Sequence, residues 1–382
     1  MTQRAYIGAD IFDGSGLQPG MAILLEGEVF RAILPEGDIP AGFQRITLAG
    51  GTLMPGFVDL QVNGGGGVMF NSQTSAEGLA VIAQAHATTG TRALLPTLIT
   101  DTVERTRAAV DAVEAAIRKG VSGIIGIHLE GPHLSLARKG AHDPALIRKM
   151  EQADEDFLCD AAQRLPNVMI TVAPESVSTA QIARLSGAGV IVSIGHTDCS
   201  FDEAEAAFAA GARCVTHLFN AMSQLGNREP GLVGAALQAG AVSAGMIADG
   251  IHVHPAAMRL ALAAKQGPAA IFLVTDAMAT AGSDITEFTL NGRRVLRENG
   301  DLRLEDGTLA GADLDFSRAL SVMIDEVGID PARAYAMVTS GPAKLLTTDF
   351  GLGGFTSGQR WNGIWLDDKH RYTPIGSGIN PA

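Results

Sequence analysis

Between residues 52 and 346 the chain alternates two kinds of segment, and that alternation limits the fold more than any other feature. Short apolar, β-branched runs (PGFVDLQVN, TRALLPTLIT, GIIGIHLE, NVMITVAPE, VIVSIGHTD, CVTHLFNAM, AGMIADGIHV, IFLVTDAM) take turns with Ala-rich stretches such as TVERTRAAVDAVEAAIRKG and SFDEAEAAFAAGA. A run of four to eight apolar residues reads as a buried strand. The Ala-rich stretches carry apolar residues at helical spacing, and several end in the Gly expected just past a helix. Eight such units predict an α/β fold, a (β/α)8 barrel. A doubly wound open sheet would show a Gly-rich phosphate fingerprint after its first strand. The run Gly64–Gly67 is not GxGxxG, and it reads as a flexible loop over the barrel mouth.

The two ends of the chain have a different texture. AYIGADIFDG, GMAILLEGEVFRAILP and FQRITLAG are short runs broken by Gly, Pro and Asp, and GLGGFTSGQRWNGIWLDDKHRYTPI repeats the style. Neither set of hairpins can bury a core alone. The expected organisation is therefore a discontinuous small β-sandwich domain, 1–51 plus 347–382, around a barrel domain, 52–346. Within the barrel, FTLNGRRVLRENGDLRLEDGTLAG reads as an inserted β-hairpin near 287–310.

Four of the strands stop abruptly at a residue that binds metal or moves a proton: Glu130, His196, His217 and Asp276. The C-terminal tips of barrel strands are where such folds place their chemistry. A single His at a strand end is more often a hydrogen-bonded rim residue than a ligand. Two at the ends of consecutive strands, about 5 Å apart, can converge on one ion, and Glu130 completes a Glu–His–His set with a position left for water. Those donors favour zinc and admit iron, cobalt or manganese. Asp276 is then the natural proton carrier. Of the neighbouring groups, His128, two residues deeper on the face of Glu130, reads as a partner behind the ligands or as structural. Asp198 either orients a ligand histidine or caps a loop, and His86 sits mid-helix without a role.

Composition sets the partners. With a net charge of −13 the chain is a poor non-specific binder of nucleic acid or acidic membranes. It has no run of about 18 apolar residues and no secretory signal pattern at its N-terminus. Three widely spaced cysteines, Cys159, Cys199 and Cys214, read as free thiols in a reducing cytoplasm.

PGFVDLQVNGGGG, HLEGPHL, KGAHDP, GHTDCS, THLFNAMSQL, GLVGAAL, ADGIHVHP, LVTDAM and GTLAG occur in this order along almost the whole chain. In these strings the sequence resembles the amidohydrolase superfamily, and within it the N-acetylglucosamine-6-phosphate deacetylases. PGFVD marks only the superfamily; HLEGP with THLFNAM is far more specific. The resemblance implies hydrolysis of the acetamide of N-acetyl-D-glucosamine 6-phosphate in amino-sugar catabolism and cell-wall recycling. It implies metal ligands at Glu130, His196 and His217, the acid/base at Asp276, and a catalytic His142 beside it. It places substrate against Ala141, His142, Asn220, Ala221, Arg228, His252 and the loop Leu309, Ala310, Gly311. It also implies a homodimer, with Arg228 supplied across the interface. Many superfamily members carry His-x-His on the first strand and hold a second metal. Here those positions are Gln61 and Asn63, poor zinc ligands, so one divalent ion per subunit is expected. The rival readings are an N-acetylgalactosamine-6-phosphate deacetylase, a dihydroorotase-like cyclic amidase, and a barrel that binds without catalysing.

Overall fold

The computed structural model describes residues 1–298 and 300–375. Its central sheet has eight strands in sequential order. We number them β1 (Phe57–Val62), β2 (Thr91–Ile99), β3 (Ile127–Glu130), β4 (Val168–Val172), β5 (Ile191–Ile194), β6 (Cys214–Val215), β7 (Ser243–Met246) and β8 (Ile271–Leu273). Every adjacent pair is parallel. The ladder closes at the C-terminal lip, where Val62 bridges Ala277 and the Asp276 amide donates to the Gln61 carbonyl at 3.1 Å. A buried carboxylate reinforces this seam. Asp59 on β1 accepts from the Thr275 hydroxyl at 2.5 Å and from the Gln61 amide at 3.2 Å.

The helices form because their apolar residues recur every three to four positions and their first turns are capped. Val103–Arg118 buries Ala109, Val110, Val113 and Ala116 on one face, and the Thr102 hydroxyl caps it. Phe201–Ala209 begins with a reciprocal capping box between Ser200 and Glu203, which fixes the length of the loop after His196.

Two of the remaining sheets share a core outside the barrel. One has four strands, in the order Val29–Pro35, Met21–Glu26, Gln3–Ile7, Gln44–Thr47. The other joins both ends of the chain: Thr52–Pro55 pairs with Gly363–Leu366 on one side and with Asp10–Phe12 on the other. Their shared core holds Tyr6, Ile23, Phe30 and Leu53, against which Phe355, Trp361 and Trp365 pack. The strand Thr52–Pro55 thus crosses the expected boundary at 52, and residues 376–382 of the expected terminal segment lie outside those described.

Three local expectations change. The insertion is a three-stranded antiparallel sheet (Glu287–Leu290, Arg293–Glu298, Asp301–Leu304) with its own small core around Leu290, Val295 and Leu302. The run Gly64–Gly67 is not a flexible loop. Gly64–Gly65 pairs with Val68–Met69, Gly67 donates to the Ala279 carbonyl, and buried His86 bonds the Gly64 carbonyl at 2.9 Å. His86 therefore does have a role: it pins that turn. Finally, the apolar runs at β6 and β7 are longer than their ladders. After Val215 the backbone enters the left-handed region at His217, Phe219 and Ala221, which ends strand pairing.

Candidate active site

Three of the four tip residues have an unusual backbone. His196, His217 and Asp276 have φ of 47°, 28° and 51°. A non-glycine residue in this region costs about 1–3 kcal/mol and persists only where the surroundings enforce it. Here the twist turns each side chain from the strand end into the barrel mouth. Glu130 ends β3 without such strain and points into the same space.

The donor atoms converge. The His217 Nε2 lies 3.2 Å and the His196 Nε2 3.4 Å from the Glu130 Oε1, and the two nitrogens are 3.1 Å apart. The His196 Nδ1 faces the Arg138 carbonyl at 2.9 Å. A carbonyl only accepts, so Nδ1 carries the hydrogen and Nε2 presents a lone pair. Two imidazole nitrogens and a carboxylate oxygen crowded this closely are held together by a proton or a cation among them. The residues present therefore fit a divalent ion held by neutral imidazoles and a carboxylate. His142 is a second candidate for the same set: Glu130, His142 and His196 offer ligand atoms all within 4.8 Å of one another. Its Nε2 is 3.7 Å from the Glu130 Oε2, so His217 makes the tighter group. Burial raises the Glu130 pKa, but the neighbouring His196 and His217 rings carry it well below the ordinary carboxylate value. Burial and then the neighbouring His196 push the His142 pKa down to about 3, leaving it neutral.

Asp276 is a different kind of carboxylate. The Asn63 Nδ2 donates to its Oδ1 at 2.7 Å and the Gln61 Nε2 at 3.2 Å. The same Gln61 nitrogen also donates to the Glu130 Oε1 at 2.9 Å. Burial, then the Glu130 charge, raise the Asp276 pKa to about 6, against the pull of His217 and Asn63. Both amides turn N–H groups toward the carboxylates. The N–H groups facing the carboxylates cannot themselves ligate.

The cavity over these groups has a volume of about 400 Å3. Glu130, Ala141, His142, His196, His217, Asn220, Ala221, His252, Asp276, Leu309 and Gly311 all line it. Two residues proposed for substrate do not. Ala310 is fully buried, its amide bonded to the Leu302 carbonyl. Arg228 is exposed on the 224–229 loop, outside the cavity of its own chain. Two glycines keep the walls close. A Cβ on Gly311 would meet the Asp276 carbonyl at 2.9 Å, and one on Gly140 would meet the His196 ring at 3.3 Å.

Several supporting groups escape a reading of the strings alone. Thr100 bonds the His142 Nδ1 at 2.8 Å from 42 residues away, a separation no local pattern reveals. Asp249 holds the His252 Nδ1 at 2.6 Å, and the three-residue spacing within DGIH was the available signal. Asp198 does not touch His196; it pairs with the Arg138 guanidinium at 2.7 Å, and the Arg138 carbonyl holds His196. Arg303 from the inserted sheet reaches the cavity wall, and the Arg293 guanidinium bonds the Ala141 carbonyl. His128 is structural, bonded to the Leu60 carbonyl and the Thr171 hydroxyl. Cys159, Cys199 and Cys214 are free thiols.

With this geometry in place, comparison with known proteins is informative. Residues 52–380 match the model of the amidohydrolase family. An N-acetylgalactosamine-6-phosphate deacetylase of Shewanella sp. (strain ANA-3) is 45% identical over 86% of this chain and 82% of its own. An N-acetylglucosamine-6-phosphate deacetylase of Haemophilus influenzae is 34% identical over 93% of both chains. Among solved structures, the N-acetylglucosamine-6-phosphate deacetylase of Pasteurella multocida superposes with a TM-score of 0.91 at 34% identity, covering 97% of each chain. A variant of the Mycobacterium smegmatis enzyme in complex with N-acetyl-D-glucosamine-6-phosphate gives 0.90 at 30% identity, over 98% of this chain and 97% of its own.

Proposed function

The chain belongs to the amidohydrolase family, and on that premise we propose that it hydrolyses the acetamide of N-acetyl-D-glucosamine 6-phosphate, releasing acetate and D-glucosamine 6-phosphate. One observation carries the reading. Glu130, His196 and His217 crowd their donor atoms within 3.4 Å of one another, beside a carboxylate, Asp276, whose pKa of about 6 suits it to accept and return a proton near neutral pH.

Glu130, His196 and His217 would hold one divalent ion, with zinc favoured by the donors, and that ion would supply Lewis acidity toward an amide carbonyl and a water. The chain's own residues do the rest. Asp276, positioned by Asn63 and Gln61, takes the proton of the attacking water and passes it to the amine as the C–N bond breaks. His142 is neutral. The Thr100 hydroxyl holds its Nδ1, and in the tautomer with the hydrogen on Nε2 the ring can bond the carbonyl oxygen as charge grows there. Asn220, Ala221, Leu309 and Gly311 wall the sugar. His252, its ring set by Asp249, supplies a donor for the phosphate.

Arg228 fits this scheme as a residue given to a neighbouring subunit. It is exposed, sits outside its own cavity, and lies on a loop with an exposed apolar tip, Leu225. We accordingly propose a homodimer in which this loop crosses a two-fold interface. No helix of the described residues is long and apolar enough to cross a membrane, and with free thiols throughout the described chain we place the enzyme in the cytoplasm.

A specific observation favours a second substrate epimer: the relative at 45% identity is named for N-acetylgalactosamine 6-phosphate. The test is acetate release from both 6-phosphorylated epimers after loading with zinc. A higher kcat/KM for the gluco epimer supports the proposal, a higher one for the galacto epimer replaces it, and no release from either refutes both.

A further inference from the structure

A second cavity, larger at about 570 Å3, opens at the other end of the barrel, where β6, β7 and β8 begin. Four cations line it, each from a different element: Arg213 just before β6, Lys265 at the end of helix Pro255–Ala264, Arg333 in helix Pro331–Val338 and Lys344 after Ser340–Ala343. No Asp or Glu lines it. Among the described residues, none of the four pairs with a carboxylate; their bonds go to neutral oxygens. Arg213 donates to the Thr347 hydroxyl at 3.0 Å, Lys265 to the Ala239 and Gln266 carbonyls, and Arg333 to the Leu262 carbonyl at 3.1 Å. Four cations around one hollow with no acid in its wall stand out in a chain of net charge −13.

Helix ends explain part of the cluster. Helices Gly231–Gln238 and Pro255–Ala264 finish here, and each C-terminus carries roughly half a negative charge. Two such ends offset about one of the four positive charges, which leaves a local excess of about three. Arg213 and Lys265 are also partly withdrawn from water, and burial holds both below their ordinary pKa values. Unscreened like charges around a shared hollow repel one another, and a bound polyvalent anion removes that cost. The Ser243 and Ser340 side chains in the wall add neutral donors.

We propose that this cavity is a binding site for a phosphate group, as inorganic phosphate or as a phosphate monoester, separate from the catalytic mouth. The inference does not depend on the proposed substrate. The test is calorimetric titration of the full chain with inorganic phosphate, and separately with glucose 6-phosphate, at fixed ionic strength. Three proteins are compared: wild type, His252→Asn to weaken phosphate at the catalytic cavity, and Lys344→Gln with Arg333→Gln at the second. Lys344 is exposed and makes no side-chain hydrogen bond among the described residues, so Lys344→Gln alone guards against loss of folding. Binding should persist in His252→Asn and weaken about tenfold or more in the Lys344/Arg333 variant, since charge-assisted contacts to phosphate are lost. Tighter binding of glucose 6-phosphate identifies a monoester site, and tighter binding of inorganic phosphate a free-anion site. Equal affinity in wild type and the Lys344/Arg333 variant, or binding abolished by His252→Asn alone, overturns the proposal.

Discussion

Replacing Asp276 by Asn tests the proposed chemistry most directly, because the structure leaves the replacement little to disturb. The side chains are nearly isosteric. One amide oxygen can accept the bonds that Asn63 and Gln61 now give to Oδ1, and Asn tolerates the left-handed backbone found here at 51°. The three proposed ligands are untouched. What disappears is the group that accepts a proton. General acid–base contributions of this kind are worth about 10²–10⁴ in rate, or about 3–5 kcal/mol of barrier. We expect kcat to fall by that factor while metal content stays at one ion per subunit. The pH profile supplies a second readout. A base must be deprotonated to act, so wild-type kcat should fall as pH drops through the Asp276 pKa. That value is about 6 from burial and the Glu130 charge, and a bound cation would draw the limb lower. The Asn variant should lack the limb. Acetate release across pH 4.5 to 8.5, on protein of verified metal content, decides it. A kcat within tenfold of wild type, with the same acid limb, would mean that the proton goes elsewhere.

Three further outcomes follow from the same geometry. His217→Ala should weaken metal binding by more than about 100-fold, beyond the cost of losing an outer partner, whereas His142→Asn should keep the ion and lose turnover; metal retention after chelator dialysis separates the two ligand sets, and the reverse pattern would make His142 the ligand. Arg228→Ala should lower kcat/KM for the phosphorylated substrate about ten- to hundredfold and leave the unphosphorylated sugar little changed; mixing it with Asp276→Asn subunits should restore part of the activity if the arginine crosses an interface, and none if it acts within its own chain. Asp59 is fully buried with its pKa raised by burial to about 7, so its contribution to stability is present at low pH and lost as pH rises from about 4 toward 7, on the order of 4 kcal/mol in all; Asp59→Asn should remove that dependence, and denaturant melts at pH 5 and 8 showing a constant difference from wild type would contradict it.

The barrel was legible because its signal is periodic and local. Each strand is a buried apolar run and each helix an amphipathic stretch with its own cap, so eight repeats could be counted without a long-range contact. The tip residues were legible for a related reason: a polar residue ending an apolar run, as Glu130 ends GIIGIHLE, has few structural explanations. Less visible was what lies behind them. Thr100 reaches His142 from the end of β2, and the Arg138 carbonyl holds His196 from 58 residues away. A backbone carbonyl carries no sequence signature. The polyglycine turn misled because glycine signals backbone freedom without saying what uses it; here His86 and the Ala277–Ala281 backbone do. The end of β6 was overextended because its apolar run continues past the point where left-handed residues break the ladder.

That break ties fold to chemistry. In an ideal strand, side chains at the tip alternate across the sheet, so consecutive strands could not all aim their last polar group at one point above the barrel. The positive φ at His196, His217 and Asp276 redirects three of them, at a local cost that the closed hydrogen-bonded rim must sustain. The β1 amides then sort the two acids. Gln61 donates to Glu130 and Asp276 together, and Asn63 to Asp276 alone. Two buried carboxylates this near repel, and burial together with that repulsion raises the pKa of Asp276. Histidines at these two positions would add lone pairs and draw Asp276 toward a second ion as a ligand. Amides add N–H donors instead, which bridge the carboxylates and leave Asp276 free to carry a proton. The Gln61 and Asn63 amides thus give the two carboxylates different partners, as the proposed division between a metal ligand and a base requires.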